Sequence, residues 1–264
     1  MAKETYGDYS GLAIPIFSLP NTLIVPFAVT IIPVITASFV EKNRDAIKST
    51  IESTFRVVSI IVMPCALGMA CMSKPILGLI YSKQTEAVES IAPLLSVLGV
   101  AVLFVSMMTI TNAMLQAQKQ ELKTIISMSF GMLVKIIAGY IFIGIPAVNK
   151  FGTPISTCLC YLTIMCMNFY FLAKYTKVVP PVKKTFVKPF VASAIMSICT
   201  ILSYILLNNI LRGSRIAVII ALIIAVVVYF IFIIIFKTLT RDDVLLLPKG
   251  AKLYEAMKRK KLID

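Results

Sequence analysis

The sequence has no histidine and no tryptophan, and it holds only 12 acidic residues in 264. Without histidine there is no Ser-His-Asp triad, no Cys-His dyad and no histidine-based metal site. Charged residues of both signs make up 14%, against roughly a quarter in soluble domains. Too little polar surface remains to cover a soluble fold, and the apolar content excludes a disordered chain. Acid is scarcer than base: 26 Lys and Arg give a net charge of +14. Nucleic-acid binding requires a basic face on a soluble domain. The apolar runs leave no room for such a domain, so no nucleic-acid partner is expected.

What is present is apolar. Hydrophobic residues make up 59% of the chain, and mean hydropathy is +0.93. A membrane span needs about 20 apolar residues. Seven runs qualify, at 11–39, 57–81, 91–115, 122–145, 151–173, 189–211 and 216–236. The fold class is therefore all-α integral membrane, with about seven transmembrane helices. Residues 1–10 are polar, so no signal peptide is expected. The first run carries Pro15, Pro20, Pro26 and Pro33. They remove backbone donors and predict a bent helix packed inside a bundle. The second run is expected to break at Pro64, Gly68 and Pro75. The seventh is uniformly aliphatic and reads as lipid-facing. All six cysteines lie in apolar runs and read as small buried hydrophobes. Cys158 and Cys160 form a C-x-C without partner ligands, so neither metal nor cofactor is expected.

The loops set orientation. Lys3, Lys74, Lys83, Lys150, Arg212 and Arg215 fall on one side of the membrane, and 19 other Lys and Arg fall on the opposite side. This asymmetry places the N-terminus outside and the C-terminus in the cytoplasm. An odd number of spans with an outside start points to upstream helices, as in the C-terminal part of a longer transporter. Two cytoplasmic stretches read as helices lying on an anionic leaflet, which makes membrane lipid a partner. In 41–56, Ile47, Ile51 and Phe55 recur at four-residue steps. In the basic tail, Leu253 and Met257 share a face.

No carboxylate lies within a span. Asp242 and Asp243 are ordinary tail charges, no catalytic constellation exists, and the chain is not expected to be an enzyme. Lys135 is the one charge inside a run, where an ammonium costs on the order of 3 kcal/mol. It either attracts an anionic headgroup such as a diphosphate or snorkels toward an interface. Asn112 and Gln116 share a helix face with Ser106, Thr109 and Thr111 nearby. They read as interhelical glue or as cavity lining for sugar hydroxyls. Asn21, beside Pro20, is a further cavity candidate. Arg56 is placed at the cytoplasmic mouth of the second run, as an anchor or a substrate contact.

These features resemble a known family. The stretch YGDYSGLAIPIFSLPNTLIVPFAVTIIPVITASF, a charged link and a run ending SKPILGLIYS form the core of the likeness. AMLQAQKQ, Lys135 and LPKGAKLYEAMKRKKL extend it. The chain resembles the second half of polysaccharide-biosynthesis flippases of the stage V sporulation protein B type. These belong to the multidrug/oligosaccharidyl-lipid/polysaccharide exporter superfamily. The resemblance implies fourteen helices in two six-helix lobes plus two extra helices, with this chain supplying the eighth through fourteenth. Related lipid II flippases carry an arginine before IFSLP where this chain has Pro15. No lipid II headgroup clamp is carried over, and the substrate stays open.

The expected organisation is a partial second lobe of five helices in 1–173, two additional helices in 174–238 and a basic tail with a short amphipathic helix in 239–264. The expected function is movement of lipid-linked oligosaccharide or polysaccharide precursors across a bacterial cytoplasmic membrane by alternating access. The chain is expected to need a missing N-terminal half. Two other readings stay open. One is a multidrug antiporter of the same superfamily. The other is a non-transporting membrane module that pairs with a separate N-terminal half.

Overall fold

The computed structural model describes residues 6–40, 44–178, 183–211, 215–236 and 238. The tail helix expected in 239–264 lies outside these residues. Seven helices follow in order: α1 Ile14–Val40, α2 Arg44–Ile80, α3 Thr85–Ala117, α4 Glu121–Gly144, α5 Gly152–Thr176, α6 Lys188–Ile210 and α7 Arg215–Ile235. A π-helical turn at Tyr9–Ala13 leads into α1, and another at Lys183–Val187 leads into α6. All seven helices are long and apolar enough to cross a membrane, one for each apolar run. The chain is an all-helical, multi-pass membrane protein.

Helix α3 is the hub, packed against α1, α2 and α5. Leu95, Leu98, Met107, Ile110 and Met114 are enclosed within it. Gly99 permits the crossing of α2 and α3. A Cβ there would sit 2.7 Å from the Ala70 nitrogen and 3.0 Å from the Ala66 oxygen. Small residues matter at such crossings because lipid is as apolar as leucine, so close backbone packing drives association. Gly131 does the same for α4 on α5, where a Cβ would meet the Ile164 side chain.

Helices α6 and α7 form a hairpin with its own small core, built on Ala192, Met196, Ala225, Tyr229 and Ile233. Ala217, Ala221 and Ala225 recur every four residues on the buried face of α7. The Tyr229 hydroxyl fastens the hairpin to α2 by donating to the Ile60 carbonyl. Lys188, at the start of α6, donates to the Phe236 carbonyl just past α7 at 2.8 Å. It thereby places a cation at the negative end of the α7 dipole.

Three expectations change. Helix α1 runs unbroken through Pro20, Pro26 and Pro33, and the bundle covers only one of its faces. Ile16, Pro20, Ile24, Ala28, Ile31 and Ile35 face inward at helical spacing, whereas Leu19, Leu23 and Val29 are exposed. Helix α2 takes in the segment expected to lie flat on the leaflet. Its stripe of Ile47, Ile51 and Phe55 is buried in the protein, because Phe55 finds aromatic partners there. The Phe55 ring stacks on Phe169 of α5 at 5.0 Å and meets Phe186 at 6.4 Å. Helix α2 leaves helical dihedrals at Met72 (φ −113°, ψ 21°), one turn before Pro75. There the proline ring crowds the carbonyl four residues back. Of the six free cysteines, only Cys160 is buried, and Cys71 and Cys166 are exposed.

Candidate functional site

The polar residues at the end of α3 bridge three helices. Asn168 of α5, fully buried, donates its amide nitrogen to the Asn112 oxygen at 2.6 Å and to the Thr111 hydroxyl at 3.2 Å. On the other side of α3, the Thr109 hydroxyl donates to the Asn21 side-chain oxygen of α1 at 3.0 Å. An amide removed from water without a partner costs several kcal/mol. These pairings therefore hold α1, α3 and α5 in register.

Two cavities open beside this bridge. One of about 230 Å³ separates α1 from α3, with Val25, Val29 and Ile32 on one wall and Thr109, Asn112 and Gln116 on the other. The second, about 420 Å³, lies between α3 and α4 and is lined by Gln116, Glu121, Thr124, Ile125 and Met128. Gln116 is exposed and borders both. Asn112 thus ties α3 to α5 and lines a cavity at once. A third cavity of about 510 Å³ lies between α2 and the α6–α7 hairpin, around Pro64, Gly68, Met72, Met196 and Tyr229. It is largely apolar.

Lys135 is exposed on α4. It follows Thr124 and Met128 along one face at the helical period. Gly131 and Gly139 lie one turn to either side and let α4 approach α5 beside it. A Cβ on Gly131 would lie 3.1 Å from the Cys160 carbonyl, and one on Gly139 would lie 3.7 Å from the Ser156 hydroxyl. Among the described residues Lys135 has neither an ion pair nor a hydrogen bond.

Asn21, Asn112 and Gln116 therefore come together around the α3 end, and Lys135 stands further along the adjoining face of α4. Arg56 does not join them. It is 8% exposed and lines neither polar cavity. Its place at the mouth of the second run rests on the apolar run starting at residue 57. The helix itself extends back to Arg44, so more than three turns of α2 precede Arg56. Two residues escaped the sequence reading. Asn168 was visible as an amide within the fifth run. Thr124 carries no local signal beyond being a threonine near a helix start.

The family model of the lipid II flippase MurJ matches residues 9–181. That is well over half of the chain. The chain belongs to this flippase family. Lipid II flippase MurJ of Bacillus subtilis (strain 168) is 25% identical over 184 residues, covering 68% of this chain and 33% of that protein. The chain therefore spans about a third of the length of the curated relative it matches. The flippase match takes in both polar cavities, the amide bridge and Lys135, and leaves α6 and α7 beyond it. Flippases are transporters and not enzymes. As a member, this chain is a multi-pass protein of a bacterial cytoplasmic membrane. The likeness read from the sequence thus holds at the level of a flippase of the exporter superfamily.

Proposed function

We propose that the chain is the C-terminal portion of a flippase that carries a lipid-linked saccharide precursor across the cytoplasmic membrane. In this reading it resembles the stage V sporulation protein B type, and the substrate is a lipid-linked oligosaccharide. The observation that carries it is the cavity between α1 and α3 lined by Thr109, Asn112 and Gln116, together with the exposed ammonium of Lys135 on α4. Lys135 supplies a cation for a diphosphate. The amides supply hydrogen bonds for sugar hydroxyls, and the apolar cavity beside α6 and α7 suits a lipid chain. An N-terminal half closes the site over the open faces of α1 and α4. Rocking of the two halves gives alternating access. The loop charges set the C-terminus in the cytoplasm.

The test is reconstitution in proteoliposomes with and without an N-terminal half, followed by translocation of a labelled lipid-linked oligosaccharide. Transport is expected only when both are present. Equal transport by the chain alone overturns the half-transporter reading.

A further inference from the structure

The flippase reading assigns the phosphate to Lys135 and the sugar to amides in general, but leaves open which residues discriminate the sugar and what aims them. We propose that Asn112 and Thr124 are the saccharide-contacting, specificity-determining residues of this chain, and that Asn168 is a positioning residue that aims Asn112. The proposal rests on the flippase reading above.

The Asn112 amide is not free to turn. Asn168 donates both to the Thr111 oxygen and to the Asn112 oxygen. The Thr111 hydroxyl gives its own hydrogen to the Met107 carbonyl at 2.9 Å, so its oxygen accepts here. That assigns the nitrogen of Asn168 and, through it, the oxygen of Asn112. The Asn112 nitrogen is left over from this pairing, and the residue lines the α1–α3 cavity. No described residue accepts from it.

Thr124 shows the same readiness on the second cavity. Hydroxyls in helices ordinarily bond back to the carbonyl three or four residues earlier. Thr111 and Ser127 do so here. Thr124 does not. It is 4% exposed, its hydroxyl has no partner among the described residues, and it lines the α3–α4 cavity.

Neither cavity is lined by Lys or Arg. Carboxamides, two threonine hydroxyls and the Glu121 carboxylate suit a neutral polyhydroxylated ligand and repel phosphate. Lys135 stands about 16 Å further along α4 from Thr124, at about 1.5 Å per residue. That spacing separates a phosphate site from a sugar site on one continuous face.

The experiment uses the 264-residue chain in lipid nanodiscs. One probe is polyprenyl diphosphate bearing a neutral disaccharide, and the other is bare polyprenyl diphosphate. Thr124→Val keeps the side-chain shape and removes only an unpartnered hydroxyl, so folding is preserved. Thr124→Val and Asn112→Leu are each expected to weaken the disaccharide probe about tenfold and to leave the bare probe unchanged. Asn168→Leu is expected to weaken the disaccharide probe too, and to add nothing in an Asn112→Leu background. Lys135→Ala is expected to weaken both probes alike. No effect of Thr124→Val and Asn112→Leu, or equal effects on both probes, overturns the proposal and leaves the flippase reading standing. Insensitivity of both probes to Lys135→Ala, or binding of neither probe by the unaltered chain, overturns the flippase reading and this proposal together.

Discussion

The Tyr229 hydroxyl donates a 2.6 Å hydrogen bond to the Ile60 carbonyl, and Ile60 stands four residues before Pro64. Proline has no N–H, so that carbonyl loses its helical partner in α2. Helix α7 supplies the missing donor from outside. In hydrocarbon no water is available to do so, and an unpaired carbonyl costs several kcal/mol. Pro64 therefore creates the point at which the α6–α7 hairpin docks.

Tyr229→Phe keeps the ring and removes the donor. It is expected to cost about 1–2 kcal/mol, read as a lower unfolding temperature in detergent. Pro64→Ala returns an N–H to the Ile60 carbonyl, and in that background the Tyr229→Phe cost should nearly vanish. Equal costs in the two backgrounds would disprove the relation.

Gly99 and Gly78 are predicted to respond oppositely to alanine. At Gly99 the added Cβ meets the backbone of α2 at Ala70 and Ala66, which cannot give way as a side-chain tip would. Gly99→Ala is expected to destabilise by about 1–3 kcal/mol. Gly78 has nothing within 4 Å of its ideal Cβ. Gly78→Ala is expected to be neutral or to stabilise by about 0.5–1 kcal/mol, because glycine weakens a helix interior. Thermal unfolding of both variants side by side decides the matter, and a stabilised Gly99→Ala would refute the tight crossing.

Lys135→Ala is predicted to fold normally, since the side chain is exposed and without a partner among the described residues. Removing an ammonium from the span relieves a cost on the order of 3 kcal/mol. Transport by the chain together with its N-terminal half is expected to fall to background, and Lys135→Arg is expected to retain most of it. Full accumulation activity in Lys135→Ala would sink the anion-holding role.

Lys188→Met removes the cation that donates to the Phe236 carbonyl. A cost of about 0.5–1 kcal/mol is expected, confined to the end of α7. Hydrogen exchange of amides near Ile233 and Phe236 is the direct measurement. Unchanged protection there would show that the contact contributes nothing.

The seven spans were legible because each run exceeds the length that only a membrane helix uses. Lys135 was legible because one charge stands alone in such a run. Other features depend on partners far along the chain. Ile47, Ile51 and Phe55 make an apolar stripe whichever surface they face, and only the arrival of Phe169 and Phe186 turns it inward. Tyr229 is one of four aromatic residues in a largely aliphatic run, and its partner lies 169 residues away. Asn112 was seen, but its orientation depends on Asn168, 56 residues distant. The start of α2 was not legible, because hydropathy marks where a run becomes apolar, whereas the helix extends back to Arg44.

Helix α7 also provides a scale of depth. Its 21 residues make about 31 Å of helix, close to the hydrocarbon thickness of about 30 Å. Centred on Ala225, it sets Tyr229, and with it Ile60, about 6 Å from the midplane. Phe236 then lies about 16 Å out, where the Lys188 ammonium reaches the headgroups. Arg56, one turn of α2 beyond Ile60, falls about 12 Å from the midplane. That is inside the hydrocarbon, where protein must shield its guanidinium. A thinner or thicker bilayer is therefore felt first by α7 and passed through the Tyr229–Ile60 bond to α2.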